Sequence, residues 1–442
     1  ILPIKKTMDD LFNQCISDID AANSIQLNTI RSVLLQEIYD IIYPLLKSHP
    51  INKNENLIYG LLTHISTQIK HISSDDYSPS FSKLSSKIAK KVDYELANNI
   101  KKEVELKNHK DAFNYLVSEL LENKVVTSLE EIKGIGHRAV QGGASYNKAV
   151  FADEEVINNL EKYISIAPLH NPATITGIKA ANETLPNAKG VVVFDTAFHQ
   201  TMPEENFLYA VPYEWYTKYD VRRYGFHGTS HRYVSMRMNE ILGRNDTKLI
   251  TCHIGNGGSI SAVLNGKCLN TSMGFTPNAG LVMGSRSGDI DASIIPYMEK
   301  TLGKTSSEID IILNKESGLL GISGVSSDAR DIEDGIKQGN ERCILANKMY
   351  VRRVIDYIAK YYVELGGCDA IIFTAGVGEN GIQTRKEIIE GLKVLGVTLN
   401  EENNNTRGEE IKISGDDSKI DVWVIPTDEE LMIAKDTYFL VK

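Results

Sequence analysis

Arg222-Arg223-Tyr224-Gly225-Phe226-His227-Gly228-Thr229-Ser230-His231 decides how this chain reads. Two adjacent arginines lead into an imidazole held between an aromatic ring and a glycine, and a second imidazole follows four residues on. Before this stretch lies Phe194-Asp195-Thr196-Ala197-Phe198-His199, and after it Cys252-His253-Ile254-Gly255-Asn256-Gly257-Gly258-Ser259. Each flank is a short apolar run that ends in an acid or in a Gly-Asn-Gly turn. Fixed cations, imidazoles and turns rich in backbone N–H groups suit the holding of phosphate oxygens while charge moves between them.

The apolar runs set the fold class. Val191-Val192-Val193-Phe194, Lys248-Leu249-Ile250-Thr251-Cys252, Ala370-Ile371-Ile372-Phe373 and Val422-Trp423-Val424-Ile425 are β-type segments that end in polar residues. Such strands alternate with helical sequence, as in an α/β fold that presents ligands at the carboxyl edge of its sheet. The first quarter of the chain reads differently. Leu11, Phe12, Ile16, Ile19, then Ile30, Val33, Leu34, Ile38, Ile41, Ile42 and Leu45 recur at helical spacing, and 56–71 and 81–105 continue the pattern. Of 33 glycines only Gly60 precedes Gly134, so the early chain lacks the turn chemistry of a β-rich lobe. Residues 1–107 are therefore expected to form an all-α segment.

Composition excludes several classes of function. A net charge of -10 argues against broad nucleic-acid binding, which draws on clustered Lys and Arg. Cys15, Cys252, Cys268, Cys343 and Cys368 are scattered with no C-x-x-C pair, which predicts reduced thiols and a cytoplasmic setting. No apolar run reaches the roughly 18 to 20 residues of a membrane span, so no membrane partner is expected. Six of ten histidines lie between His137 and His253, but without the short paired spacing of zinc ligands. The start at Ile1 suggests a trimmed or processed N-terminus.

From about Asn108 onward the chain resembles the acetate kinases, members of the sugar kinase, Hsp70 and actin superfamily. The resemblance rests on the segments above together with Gly136-His137-Arg138, Ala167-Pro168-Leu169-His170-Asn171-Pro172 and Met283-Gly284-Ser285-Arg286-Ser287-Gly288-Asp289. Ser326-Ser327-Asp328-Ala329-Arg330-Asp331, Thr374-Ala375-Gly376-Val377-Gly378-Glu379-Asn380 and Pro426-Thr427-Asp428-Glu429-Glu430 complete it, in the family's order. It implies a two-lobed actin-like ATPase (ribonuclease H-like) fold. Residues 108–195 with the C-terminal helix 430–442 would form a partial N-terminal lobe, and 196–429 a nucleotide-binding and dimerisation lobe.

The same resemblance implies transfer of the ATP γ-phosphoryl group to acetate or another short-chain carboxylate, with Mg²⁺, in a homodimer. Arg138 and Arg286 match the family's active-site arginines, whose planar forks suit a transferring phosphoryl group. His227 matches the histidine that contacts that group, and His170 a second one. Asp195 matches the catalytic aspartate, and with Glu429 it is the expected Mg²⁺ anchor. Asn256 and Gly257 match a phosphate-binding turn; Gly376, Gly378, Glu379, Asn380, Asp328 and Arg330 match nucleotide contacts. Val140, Leu169, Phe226 and Pro277 match the pocket for the acetate methyl group. Two departures stand out: Gln141 replaces a usual histidine, and the family's opening Asn-x-Gly-Ser-Ser-Ser-x-Lys turn occurs nowhere in the sequence. That second departure predicts an incomplete N-terminal lobe and weak turnover with nucleotide binding retained. It also leaves open an inactive kinase-like scaffold carrying a helical protein-interaction module.

Overall fold

The computed structural model describes residues 109–167 and 170–442. The helices expected before about residue 105, Cys15, Pro168, and Leu169 of the expected methyl pocket all lie outside those residues. Leu106–Lys442 makes one compact unit, built on two sheets.

The first sheet has three strands in the order β1-β3-β2, where β1 is Gly134–Ala139, β2 Val150–Phe151 and β3 Lys189–Phe194. β1 runs parallel to β3, with Arg138 beside Val193 and Ala139 beside Phe194. β3 is a continuous apolar run because it is covered on both faces. Val192 and Phe194 pack under helices α1 (Glu154–Lys162) and α2 (Asn171–Thr184), against Ile157, Leu160, Ile175 and Ile178. Val191 and Val193 face the other way, against Ile433, Leu440 and Val441 of the C-terminal helix Glu429–Val441. That helix lies so close that a Cβ on Gly136 would sit 2.3 Å from Ile433 Cγ2. The glycines of β1 are thus the price of admitting a helix at this distance.

The second sheet has six strands in the order β6-β5-β4-β7-β9-β8. These are β4 (Lys248–Ile254), β5 (Gly258–Leu264), β6 (Lys267–Thr271), β7 (Ala370–Thr374), β8 (Ile411–Lys412) and β9 (Asp421–Val424). β4, β7 and β9 are parallel neighbours and so end at one edge. Side chains alternate between two helical layers. Ile250, Cys252, Ile371 and Phe373 belong to the core that includes Val354, Ile358 and Tyr361 of the helix Glu341–Glu364. Leu249, Ala370 and Ile372 belong to the core formed with Val234 and Met238 of the helix Gly228–Leu242. Every residue of β7 is buried, so truncating Ile372 to Ala would cost about 2–5 kcal/mol.

The sheets are tied where the chemistry was expected. Gly228 N–H donates to the Asp195 carbonyl at 2.8 Å, and a Cβ on Gly228 would approach that oxygen to 2.2 Å. Only glycine admits this contact between the start of a helix and the end of β3.

Candidate active site

Asp195 leaves the end of β3 almost fully buried, at 1% exposure. Its carboxylate is gripped by Arg138 of β1: Nε donates to Oδ1 at 2.8 Å and Nη2 to Oδ2 at 2.7 Å. The parallel register sets Arg138 beside Val193, two residues before Asp195. This bidentate bond raises the Arg138 pKa further, so the guanidinium is charged at any working pH. Arg138 remains half exposed and open to a ligand.

Glu429 stands on the far side, with Oε2 4.0 Å from Arg138 Nε. That oxygen is buried without a hydrogen-bond partner, and burial pushes the carboxyl up to about 7. A buried, orphaned carboxylate oxygen beside a second carboxylate is the donor set that a divalent cation satisfies. Among the described residues no cluster of three or more His, Cys, Asp or Glu could hold a metal. Such a carboxylate pair suits a hard cation held by one or two carboxylates and completed by waters and phosphate oxygens, as Mg²⁺ is.

His227 opens the helix Gly228–Leu242 in a left-handed conformation, φ 58°. Its ring stacks on His253 with centroids 4.1 Å apart, and its Nδ1 lies 2.9 Å from Ser259 Oγ. Behind it, His231 bridges Ser259 Oγ and Thr251 Oγ1, both at 2.7 Å. His253 Nδ1 meets Ser230 Oγ at 2.8 Å. Burial holds all three rings in the neutral form: His227 and His231 well below the ordinary range, His253 down to about 3. The neighbouring cations Arg138 and Arg286 push His227 the same way.

Arg286 reaches the same place from another loop. A Cβ on Gly257 would lie 3.2 Å from Arg286 Nη1 and 3.8 Å from His227 Cε1, so this glycine sits between the two side chains. Arg286 is anchored by the Pro277 carbonyl at 3.1 Å. His170 precedes the helix Asn171–Thr184; burial first, then Arg286, lowers its pKa. Asn256 projects over Gly284, whose Cβ would collide with its Oδ1. Phe226 is buried in the large core with Val140 packed against that core, and Pro277 is half-buried. The structure thus gathers Arg138, Asp195, Glu429, His227, Arg286, His170, Asn256 and Gly257 around one region.

The strand end of β7 supplies a second turn beside the first: a Cβ on Gly255 would lie 4.0 Å from Gly376 N. Ala375 takes φ 65° to turn from strand into the helix Ala375–Asn380. A Cβ at Gly376 would meet nothing within 4 Å, so its face is open. Glu379, expected to face nucleotide, turns inward. Its Oε1 accepts from Ala375 N at 2.8 Å, Thr427 N at 3.0 Å and Thr374 Oγ1 at 3.3 Å. It clamps the ends of β7 and β9 together. Asn380 Nδ2 likewise donates to its own helix, at Gly376 O.

Five further side chains do something other than the sequence suggested. Arg222 lies over the Phe207 ring at 3.7 Å, and Arg223 Nη1 donates to three successive carbonyls, Thr271, Ser272 and Met273. The adjacent arginines are engaged with the protein itself, one on an aromatic ring and the other on the carbonyls of 271–273. Asp328 and Arg330 pair with each other at the start of the helix Ala329–Lys337, with Arg330 87% exposed. Gln141, where a histidine was expected, is buried and caps Gly143 N–H at 2.9 Å.

One important residue went unnoticed in the sequence. Arg385 is fully buried and, among the described residues, has no carboxylate partner. It donates to the carbonyls of Gly378, Asn404 and Thr406 and to Asn404 Oδ1, and burial lowers its pKa to about 10. A lone Arg in amphipathic helical sequence carries no signal of this role.

Comparison with known proteins agrees with the geometry. A sequence model of the Acetokinase family matches residues 78–435, so the match begins some thirty residues before the resemblance read from the motifs. The chain is 52% identical over 344 residues to an acetate kinase of Treponema denticola, covering 77% of this chain and 87% of that one. It is 51% identical over 340 residues to an acetate kinase of Bacillus subtilis, covering 76% and 86%. The crystal structure of Porphyromonas gingivalis acetate kinase superposes with a TM-score of 0.73 at 47% identity, covering 77% of this chain and 86% of that one. A propionate kinase structure from Francisella tularensis gives 0.73 at 44%, with 77% and 87% covered. The two sheets are those of an actin-like ATPase fold, and the chain belongs to the acetokinase family.

Proposed function

We propose that this chain transfers the γ-phosphoryl group of ATP directly to a carboxylate oxygen of acetate, giving ADP and acetyl phosphate. The γ-phosphorus bonds to the carboxylate oxygen as its bond to the β–γ bridging oxygen breaks, and ADP leaves with that electron pair. The observation that carries this reading is the convergence of Arg286 and His227 on Gly257, between the Asn256 turn and the Arg138–Asp195 fork. In-line phosphoryl transfer needs donors around the equatorial oxygens and little covalent chemistry. Arg138 and Arg286 hold positive charge there, and His227 hydrogen-bonds the moving group.

Mg²⁺ would be held by Glu429 and Asp195 and would neutralise charge on the phosphates. Asn256, Gly257 and the open face at Gly376 would receive the nucleotide. Val140, Leu169, Phe226 and Pro277 would wall the methyl group, and so small a pocket separates acetate from propionate by only about 1–3 kcal/mol. Residues 108–195 with 430–442 would act as one lobe and 196–429 as the other. The working molecule would be a homodimer in the cytoplasm; no helix among the described residues is long and apolar enough to cross a membrane. Nothing in the comparisons favours the scaffold alternative.

Trapping of acetyl phosphate as its hydroxamate, with Mg-ATP and either acetate or propionate, is the direct test. Product forming at a steady rate and abolished by omission of ATP is expected. Nucleotide binding by titration calorimetry without any product would overturn the phosphotransferase reading. Light scattering that finds only monomer at micromolar concentration would overturn the dimer.

A further inference from the structure

We propose that Thr251, His231 and Ser259 form a one-way hydrogen-bond relay that fixes His227 in the tautomer with its proton on Nε2. The inference rests on the reading that His227 donates to the transferred phosphoryl group. Thr251, His231 and Ser259 are all buried with no exposure, so each bond needs one proton and one lone pair and water cannot mend a mismatch.

The direction follows from distances. The Thr251 hydroxyl has one proton and two candidate acceptors: His231 Nδ1 at 2.7 Å and the Ser261 carbonyl at 3.5 Å. A hydroxyl bond is made at about 2.5–3.0 Å, so the proton goes to His231 Nδ1. The His231 ring, neutral in its buried place, then carries its own proton on Nε2 and donates it to Ser259 Oγ at 2.7 Å. Ser259 Oγ could accept a second proton, but among the described residues its own buried proton has no acceptor other than His227 Nδ1, 2.9 Å away, so Ser259 donates there. His227 is left with N–H at Nε2, the nitrogen without a partner among the described residues.

This matters because a neutral imidazole has a single N–H. The opposite tautomer would present a lone pair to phosphate oxygen, which repels where a donor should attract. Ser259 and Thr251 are thus positioning residues: they touch no substrate and act through His227. The arrangement lets a histidine kept neutral by burial still serve as a donor.

The test uses the full chain labelled with ¹⁵N-histidine. Imidazole nitrogens with and without a proton differ widely in ¹⁵N shift, so the tautomers of His227 and His231 are read directly. Protonated Nε2 and lone-pair Nδ1 are expected on both rings; a protonated Nδ1 on His227 in the unsubstituted protein would overturn the relay whatever the kinetics. Ser259→Ala should lower kcat on the order of 10-fold or more while the KM for ATP changes little. Thr251→Val should lower kcat about 5-fold alone and have no further effect in the Ser259→Ala background. Additive losses in the double variant would also overturn it. His227→Ala with near-normal kcat, the tautomers being as assigned, would instead remove the phosphoryl contact and leave the relay without a catalytic purpose.

Discussion

Replacing Glu379 separates what the motif implied from what the fold does with it. The resemblance makes it a nucleotide contact, whereas its Oε1 accepts from Ala375 N, Thr427 N and Thr374 Oγ1. Glu379→Ala leaves two backbone donors at the ends of β7 and β9 without their acceptor. Bonds to an ionised group are each worth about 1.5–3 kcal/mol. Some water reaches the half-buried site, so a total loss of about 3 kcal/mol is expected. Glu379→Gln keeps a carbonyl oxygen for the same donors and should lose about 1 kcal/mol. Melting temperature and KM for ATP, measured on both variants, decide the matter. Glu379→Ala should melt several degrees lower than Glu379→Gln, and its KM should rise only as far as the loosened turn disturbs Gly376. An unchanged melting temperature in Glu379→Ala together with a tenfold rise in KM would refute the clamp and restore the nucleotide contact.

Three other outcomes are expected. Arg138→Ala and Arg286→Ala should each lower kcat on the order of 10²–10³ while calorimetric ATP affinity changes little; near-normal turnover in Arg286→Ala would remove its assigned role. Arg385→Met leaves the carbonyls of Gly378, Asn404 and Thr406 unpaired and should cost about 3–5 kcal/mol, seen as a lower melting temperature; a midpoint within one degree would show that the turn holds itself. Stability should fall between pH 6.5 and 4, where the buried histidines outweigh the opposing gain from Glu429, whose carboxyl burial holds up to about 7. His137 and His199 have pKa values near 4 because of burial, so in that window the unfolded chain binds protons that the folded chain does not. Each contributes up to about 3 kcal/mol, and His137→Gln should shallow the fall in a melting-temperature series across that range.

The sequence alone carried the fold class and the chemical inventory. Apolar runs ending in polar residues located β3, β4, β7 and β9 because strand burial is a local pattern: Val191 and Val192 had to be apolar to be covered on opposite faces. The glycines of the 255–258 and 376–378 turns were legible for the same reason, since a backbone constraint is written at its own position. What the sequence could not assign was the partner of each polar side chain. Arg138 and Asp195 are 57 positions apart and meet only because β1 lies parallel to β3. Arg222 and Arg223 looked fit for phosphate and are engaged within the protein instead; Glu379 looked like a ligand contact and is a clamp. Arg385 and the Thr251–His231–Ser259 relay left no local trace, for a hydrogen bond depends on distance and direction between residues that only packing brings together. Composition tells which charges and donors a chain possesses, and the tertiary structure decides which of them are already spent on the protein itself.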